Sequence, residues 1–241
     1  MATEYLNDLT LNPNRIEEEE FLIKIAKTAI TGKTLETSLD TVSQLCVDAV
    51  KAAGNADNVR VLSLPGGSID DSYLFNGVVL NKDIVGRSEE GWNLTNGNYA
   101  LLNTGLEIEK NDDNVQVQLD AQSYQSFKDS GKNDLLAHAQ TIVTAMDDGG
   151  VLFVRDGVAE NVSAYLRNNG VEVVQRLPES SMKALSNALG TEIAYRPESI
   201  KSSGGLIIRT EKHNDVNYLF VPSLSPEDCA GESTLILRGA T

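Results

Sequence analysis

The residues whose types and spacing come nearest to a reactive arrangement are Gly66, Gly67, Asp70 and Asp71, in the stretch GGSIDDSYLFNGVVLNKDIVGR at 66–87. A glycine turn ahead of two carboxylates reads as a phosphate cradle, a metal loop or a joint between structural units. As a paired-carboxylate site Asp70 and Asp71 are badly arranged, because neighbours on a strand point to opposite faces; a turn role suits them better. The other reactive residue types are scattered. His138 and His213 have no second histidine or cysteine at ligand spacing. The sequence contains no GxxxxGKS or GxxxxGKT, no GxGxxG opening a helix after a strand, and no GxSxG elbow. No catalytic residue and no metal site is expected on these grounds, and a hydrolase is left unsupported.

Composition narrows the function classes. With 241 residues the chain can form one large or two modest domains. Hydrophobic residues make up 41% and aromatics 5%, so the core must come from Val, Leu, Ile and Ala. Acidic residues outnumber basic ones 35 to 20, and the resulting charge of -15 repels phosphate backbones, which argues against a nucleic-acid partner. That charge reads either as simple solubility or as halophilic adaptation to a salty cytoplasm, where screening shortens to ~3 Å at 1 M salt. Cys46 and Cys229 show no CxxC spacing, which excludes a zinc ribbon or disulfide scaffold and fits a reducing, cytoplasmic setting. The N-terminal residues lack a basic start followed by an apolar core, and no apolar run approaches the ~20 residues needed to span a bilayer.

The elements that must position these residues follow from periodicity. Residues 17–30 place Phe21, Leu22, Ile25, Ala26, Ala29 and Ile30 on one helical face, with Glu17 to Glu20 in the first turn, where carboxylates suit the helix dipole. Residues 38–53 repeat the spacing with Leu39, Val42, Leu45, Cys46, Ala49 and Val50, entered through Thr37 or Ser38 and closed by Gly54. Short β-rich runs follow at 59–64, 77–80, around 100 and at 115–119, and helical spacing returns at 134–146. Strand then alternates with helix: VLFV from 151, a helix over 157–168, VEVV from 171, a helix opened by Pro178 and closed by Gly190, and EIAY from 192. This rhythm predicts a locally parallel sheet. The tail reverts to strands in GGLIIRT, NYLFVP and STLILRG.

In order and spacing, LIKIAKTAITGKTLET, VLSLPGGSIDDSYLFNGVVLNKD, NYALLNTGLEIEK, GGVLFVRDGVAENVSAYLRNNGVEVVQRLPESSMKALSNALGTEI and STLILRGAT resemble the group II chaperonins, the archaeal thermosome family, from about Glu18 onward. The resemblance implies an α/β fold: a chaperonin apical domain, with β-sheets flanked by helices and a helical protrusion, joined to a small, mainly helical intermediate domain. The expected division is a lead-in at 1–16, intermediate residues 17–76, apical residues 77–226 and a second intermediate segment at 227–241. The opening stretch then becomes a joint, with Gly66, Gly67 and Gly77 as its hinge. The family's equatorial ATPase domain has no counterpart here, so the chain reads as an excised piece or a natural truncated paralogue. No cofactor is expected in this chain, ATP and Mg²⁺ belonging with the missing domain, and Lys33 matches the family's nucleotide-sensing lysine.

The implied function is the client-handling part of a chaperonin subunit, which binds non-native protein and, in an ATP-dependent ring of sister subunits, assists folding. As this chain alone it is expected to be monomeric, without nucleic-acid or membrane partners. The competing class is a stand-alone α/β ligand-binding or enzymatic domain. Two departures from the family stand out: Ala240 in place of a common glycine, and QSYQSFKDSGKNDLLAHAQ where the protrusion helix should be strongly helical. Gly131 costs ~1 kcal/mol relative to alanine in a helix, which predicts a mobile or shortened lid. On the two apical helices Val158, Val162, Tyr165 and Leu166, and Met182, Leu185 and Leu189, form core stripes. Clients are therefore expected on the opposite faces, at Glu160, Ser163, Ala164 and Arg167 and at Lys183, Ala184 and Asn187, with Phe127 of the protrusion as a further contact.

Overall fold

The computed structural model describes residues 18–33, 38–87, 92–107, 121–224 and 231–239, with the backbone alone at 121–130 and 132. The lead-in 1–16, the run 115–119, Cys229, Ala240 and the side chain of Phe127 lie outside the described residues. In chain order the elements are α1 (Glu19–Ile30), α2 (Leu39–Ala53), β1 (Val59–Pro65), β2 (Tyr73–Phe75), β3 (Gly77–Leu80), β4 (Asn93–Leu102), α3 (Ala121–Ala145), β5 (Gly150–Val154), α4 (Glu160–Asn168), β6 (Val171–Val174), α5 (Glu179–Leu189), β7 (Ile193–Ala194), β8 (Ser203–His213), β9 (Val216–Pro222) and β10 (Ser233–Gly239). They form two compact units, one within Met1–Asn76 and Asp228–Thr241 and the other within Gly77–Glu227.

In the smaller unit β10 lies between β1, to which it is parallel, and β2, to which it is antiparallel. The helix α2 packs on this sheet, and the Ser233 hydroxyl donates to the Ala49 carbonyl at 3.1 Å. Its buried residues are Val42, Ser43, Val47, Ala49 and Ala53, and it ends where Gly54 turns left-handed at φ 68. Ser38 occupies the N-cap position but makes no side-chain cap bond. The apolar stripe is offset from the one read off the sequence: Val50 is 43% exposed, and α1 buries no residue at all, with Ile25 51% exposed. Ion pairs of Lys51 with Glu19 and of Lys24 with Glu20 lie on the surface, where solvent screening leaves them little weight.

Gly66 and Gly67 belong to this unit. They turn the chain between β1 and β2 of one sheet, and the passage to the other unit comes later, at Asn76 to Gly77. This moves the crossing away from the glycine pair. The pair is required by the turn itself: φ is +86 and +80, and a Cβ on Gly67 would stand 2.9 Å from the Asp71 carboxylate. Asp71 accepts from the Ser68 amide at 2.7 Å and the Ser68 hydroxyl at 3.1 Å, closing a capping box over the short 3-10 turn Ile69–Asp71.

The larger unit is built on a seven-stranded mixed sheet in the order β3-β9-β8-β4-β5-β6, with β7 also paired to β4. The pairs β4–β5, β5–β6 and β4–β7 are parallel, as the strand–helix alternation requires. The short run of β5 is apolar because both faces are covered, and β6 is apolar apart from Glu172, which is paired with Arg87. Alternate residues feed two cores: Tyr99, Leu101, Val151 and Phe153 on one face, and Ala100, Leu102, Leu152 and Val154 on the other. Met182, Leu185 and Leu189 of α5 join the first core, whereas Val162 and Leu166 of α4 and Ala139 and Ile142 of α3 join the second. The two helices flanking β6 therefore cover opposite faces of the sheet.

The helix α3 runs unbroken through Gly131. Ala139 and Ile142, both fully buried, anchor its C-terminal part. Once packing has fixed those turns, extending the helix past one glycine costs little compared with nucleating it.

Candidate functional site

The helices α4 and α5 leave the carboxyl ends of neighbouring parallel strands in opposite directions. The chain after β5 turns to one face of the sheet and the chain after β6 to the other. In open α/β sheets this reversal opens a crevice between the two loops. Here it is lined by Arg155, Asp156 and Gly157 after β5, by Arg176, Leu177, Pro178 and Glu179 after β6, and by Glu107, and it measures about 490 Å³. A second crevice of about 350 Å³, bounded by Asn103, Thr104, Gly105, Glu107 and Asp156, shares two of these residues.

Backbone hydrogen bonds fix the rim. Arg155 N donates to Leu102 O at 3.0 Å, Leu106 N to Gly157 O at 2.8 Å, Ala159 N to Leu106 O at 2.9 Å and Arg176 N to Asp156 O at 3.0 Å. Gln175 accepts from the Val158 amide through Oε1 at 2.7 Å. A Cβ on Gly157 would meet the carboxylate of Glu107, the end of a flexible exposed side chain that would have to move aside. Arg176 holds φ 57, a left-handed conformation uncommon for a residue with a side chain. The side chains of Arg155, Asp156, Arg176, Glu179 and Glu107 are all exposed, so the crevice offers both signs of charge to a ligand.

Glu179 pairs with Lys183 one turn along α5 at 2.8 Å. The Lys183 hydrogen bond, the Lys183 charge and then that of Arg155 hold the Glu179 carboxyl below its ordinary range, and the Glu179 hydrogen bond raises the Lys183 ammonium above its own. Beside the second crevice the Thr104 hydroxyl donates to the Tyr195 carbonyl at 2.8 Å, and the Tyr195 ring is 68% exposed. The arrangement brings charges of both signs and one aromatic side chain to the rims of the two crevices.

The residues expected to meet clients separate in the structure. Glu160, Lys183 and Asn187 are exposed and Ala164 is half-buried. Ser163 and Ala184 are 6% and 3% exposed, which removes them from any open face. Ser163 turns its hydroxyl back onto the Glu160 carbonyl at 2.9 Å. Ala184 is enclosed because α5 buries a wide arc, Ser181, Met182, Ala184, Leu185, Ala188 and Leu189, and the segment after β9 crosses it through Leu224 N to Ala188 O at 2.7 Å. Arg167 is half-buried and committed to the Gly86 carbonyl. Because α4 and α5 lie on opposite sides of the sheet, their outer faces do not combine into one surface; only their N-terminal ends approach the same crevice. Lys33 is exposed just after α1, its amide bonded to Ile30 O at 3.1 Å. Among the described residues no three His, Cys, Asp or Glu side chains gather as metal ligands, and no helix is long and apolar enough to cross a membrane.

Comparison with known proteins assigns the family. The model of the TCP-1/cpn60 chaperonin family matches residues 1–241. This chain belongs to the TCP-1/cpn60 chaperonin family. Within it, the chain is 31% identical over 249 residues to thermosome subunit 1 of Haloferax volcanii, covering 100% of this chain and 43% of that subunit. It is 28% identical over 255 residues to thermosome subunit beta of Archaeoglobus fulgidus, covering 100% of this chain and 45% of that one. The chain thus spans less than half the length of these relatives. Its fold matches the open-state monomer of a group II chaperonin from Methanococcoides burtonii with a TM-score of 0.69 at 22% identity, over 99% of this chain and 55% of the other. The chaperonin fold therefore extends across the described residues, and the crevice at the carboxyl ends of β5 and β6 is a feature of its larger unit.

Proposed function

We propose that this chain is the client-handling part of a chaperonin subunit and that its larger unit captures non-native protein at the crevice between the loops after β5 and β6. The observation that carries the reading is the crevice itself, placed at the reversal point of a parallel sheet in a chain of chaperonin family. Unfolded segments present backbone amides and carbonyls together with charged and apolar side chains. Arg155 and Arg176 suit carboxylates and carbonyls, Glu107, Asp156 and Glu179 suit basic groups, and the exposed Tyr195 ring offers an apolar anchor. Such a surface binds selectively through mixed contacts, unlike a purely apolar patch.

In a ring of sister subunits the smaller unit relays nucleotide-driven motion. Among the described residues Lys33 brings one exposed charge to such a role, and a single charge without a cradle of backbone amides and Mg²⁺ ligands does not hold ATP. The test is suppression of aggregation. The purified chain at stoichiometric ratio should reduce light scattering by a chemically denatured protein, and Arg155→Glu with Arg176→Glu should remove most of that effect. A chain that leaves scattering unchanged contradicts the reading.

A further inference from the structure

Among the described residues, four other than glycine hold a positive φ: Asn96, Arg176, Asn214 and Asp215. Asn96 sits at an irregularity of β4, and Asn214 and Asp215 form the turn between β8 and β9. Asn and Asp visit this left-handed conformation readily, because a short polar side chain can bond to the local backbone; for other side chains the Cβ crowds the following carbonyl. Arg176 is thus the one of the four whose residue type does not suit its backbone.

The turn imposes that backbone. Arg176 N donates to Asp156 O at 3.0 Å and Leu177 N to Val154 O at 3.2 Å, while Leu177, 1% exposed, is sunk in the core. The chain after β6 is thereby tied to the end of β5 with φ 57 at residue 176, where glycine would sit without strain. Neither packing nor pairing calls for the arginine. Its side chain is exposed, and its guanidinium has no ion-pair or hydrogen-bond partner among the described residues, although Glu107 and Asp156 line the same crevice. Strain retained where the fold has no use for the side chain points to a ligand contact.

We propose that Arg176 is the specificity-determining residue of the crevice and selects carboxylate-bearing segments of an extended polypeptide. The inference rests on the capture reading above and adds the ligand chemistry to it. A guanidinium holds a carboxylate in a forked, charge-assisted pair. Arg155 adds a second positive charge to the lining, and Lys183 offsets Glu179, so charges of the two signs balance. Glu107 and Asp156 oppose a multiply charged phosphate, yet can accept from the amides of a peptide backbone.

Two labelled probes test this on the full chain at low salt, by fluorescence anisotropy. One is an unstructured peptide with glutamates spaced among Ala, Ser and Tyr; the other has every glutamate replaced by glutamine. The parent should bind the glutamate probe about 10-fold more tightly, the weight of one hydrogen-bonded pair between charged groups. Arg176→Gly and Arg176→Ala should both bind the two probes equally, at the parent's affinity for the glutamine probe. Arg176→Gly should melt about 2–4 °C above Arg176→Ala, since only glycine relieves the backbone. Millimolar inorganic phosphate should leave the glutamate probe bound. Equal binding of the two probes by the parent, a preference that survives in Arg176→Gly, a glycine variant melting no higher than the alanine variant, or displacement by phosphate each overturns the inference and leaves capture at the crevice standing. A parent that binds neither probe overturns both.

Discussion

Arg167 of α4 donates from Nη1 to the carbonyl of Gly86 at 2.6 Å, joining residues 81 positions apart. The bond holds the loop after β3 along the edge strand β6. Beside it Val85 N donates to Val173 O at 2.9 Å, and Arg87 donates from Nε and Nη2 to one oxygen of Glu172 at 2.8 and 2.6 Å. An edge covered in this way is closed to pairing with another chain.

Arg167→Glu should therefore destabilise the larger unit by about 1–2 kcal/mol, the loss of a hydrogen bond from a charged donor on a half-buried side chain, as read by urea denaturation. Gly86→Ala should destabilise it too, because φ is +73 and the Arg167 guanidinium occupies the space of the added methyl. A charge reversal at Arg167 consequently reports on stability before it reports on clients.

Leu185 has 0% exposure in the core between α5 and the sheet. Leu185→Ala should cost about 2–5 kcal/mol, whereas Lys201→Ala, at an exposed surface ion pair, should stay within about 0.5 kcal/mol. Thermal melts of the two variants beside the parent check both.

The β5-α4-β6-α5-β7 path was legible in the sequence because each element carries its own local signal: continuous apolar runs for doubly covered strands, and Pro178 and Gly190 bounding α5. The crevice was readable in principle and was missed. The same rhythm places Arg155, Asp156 and Arg176 directly after strands, where parallel sheets bind ligands, but no local motif marks them. Ser163 and Ala184 were assigned to an open face because periodicity describes one buried stripe, whereas α5 buries a wide arc set by segments distant in sequence. The glycine pair at 66 and 67 signalled a turn correctly, yet whether a turn joins two strands or two units depends on the pairing of β10, far along the chain.

Asp71 is held below its ordinary range first by the Ser68 amide, then by the Ser68 hydroxyl, with a smaller effect of the Arg238 charge. A carboxyl with a depressed folded pKa stabilises above its ordinary value, near 3.8, and that contribution is lost as pH falls through the lowered folded value. Asp71→Asn should thus be less stable than the parent at pH 7. The gap should narrow as pH falls below about 3.8 and through the lowered folded value, as measured by denaturation midpoints in acid.

The charge of -15 sets an expectation about salt. Raising KCl from low to molar concentration should raise the thermal midpoint, most steeply at the low end, because screening relieves self-repulsion and salt strengthens apolar burial. A flat midpoint would remove the halophilic reading and leave the family assignment untouched.

The central claim is that non-native protein is held at the crevice beside α5, and photocrosslinking tests it most directly. A photoreactive phenylalanine analogue is placed in turn at Glu179 on the crevice wall, at Tyr195 beside the second crevice, and at Ile207, which is 49% exposed on β8. The account predicts that a denatured client crosslinks from Glu179 and Tyr195, that native client competes poorly, and that Ile207 gives background yield. Crosslinks from Ile207 with none from Glu179 or Tyr195 would contradict it.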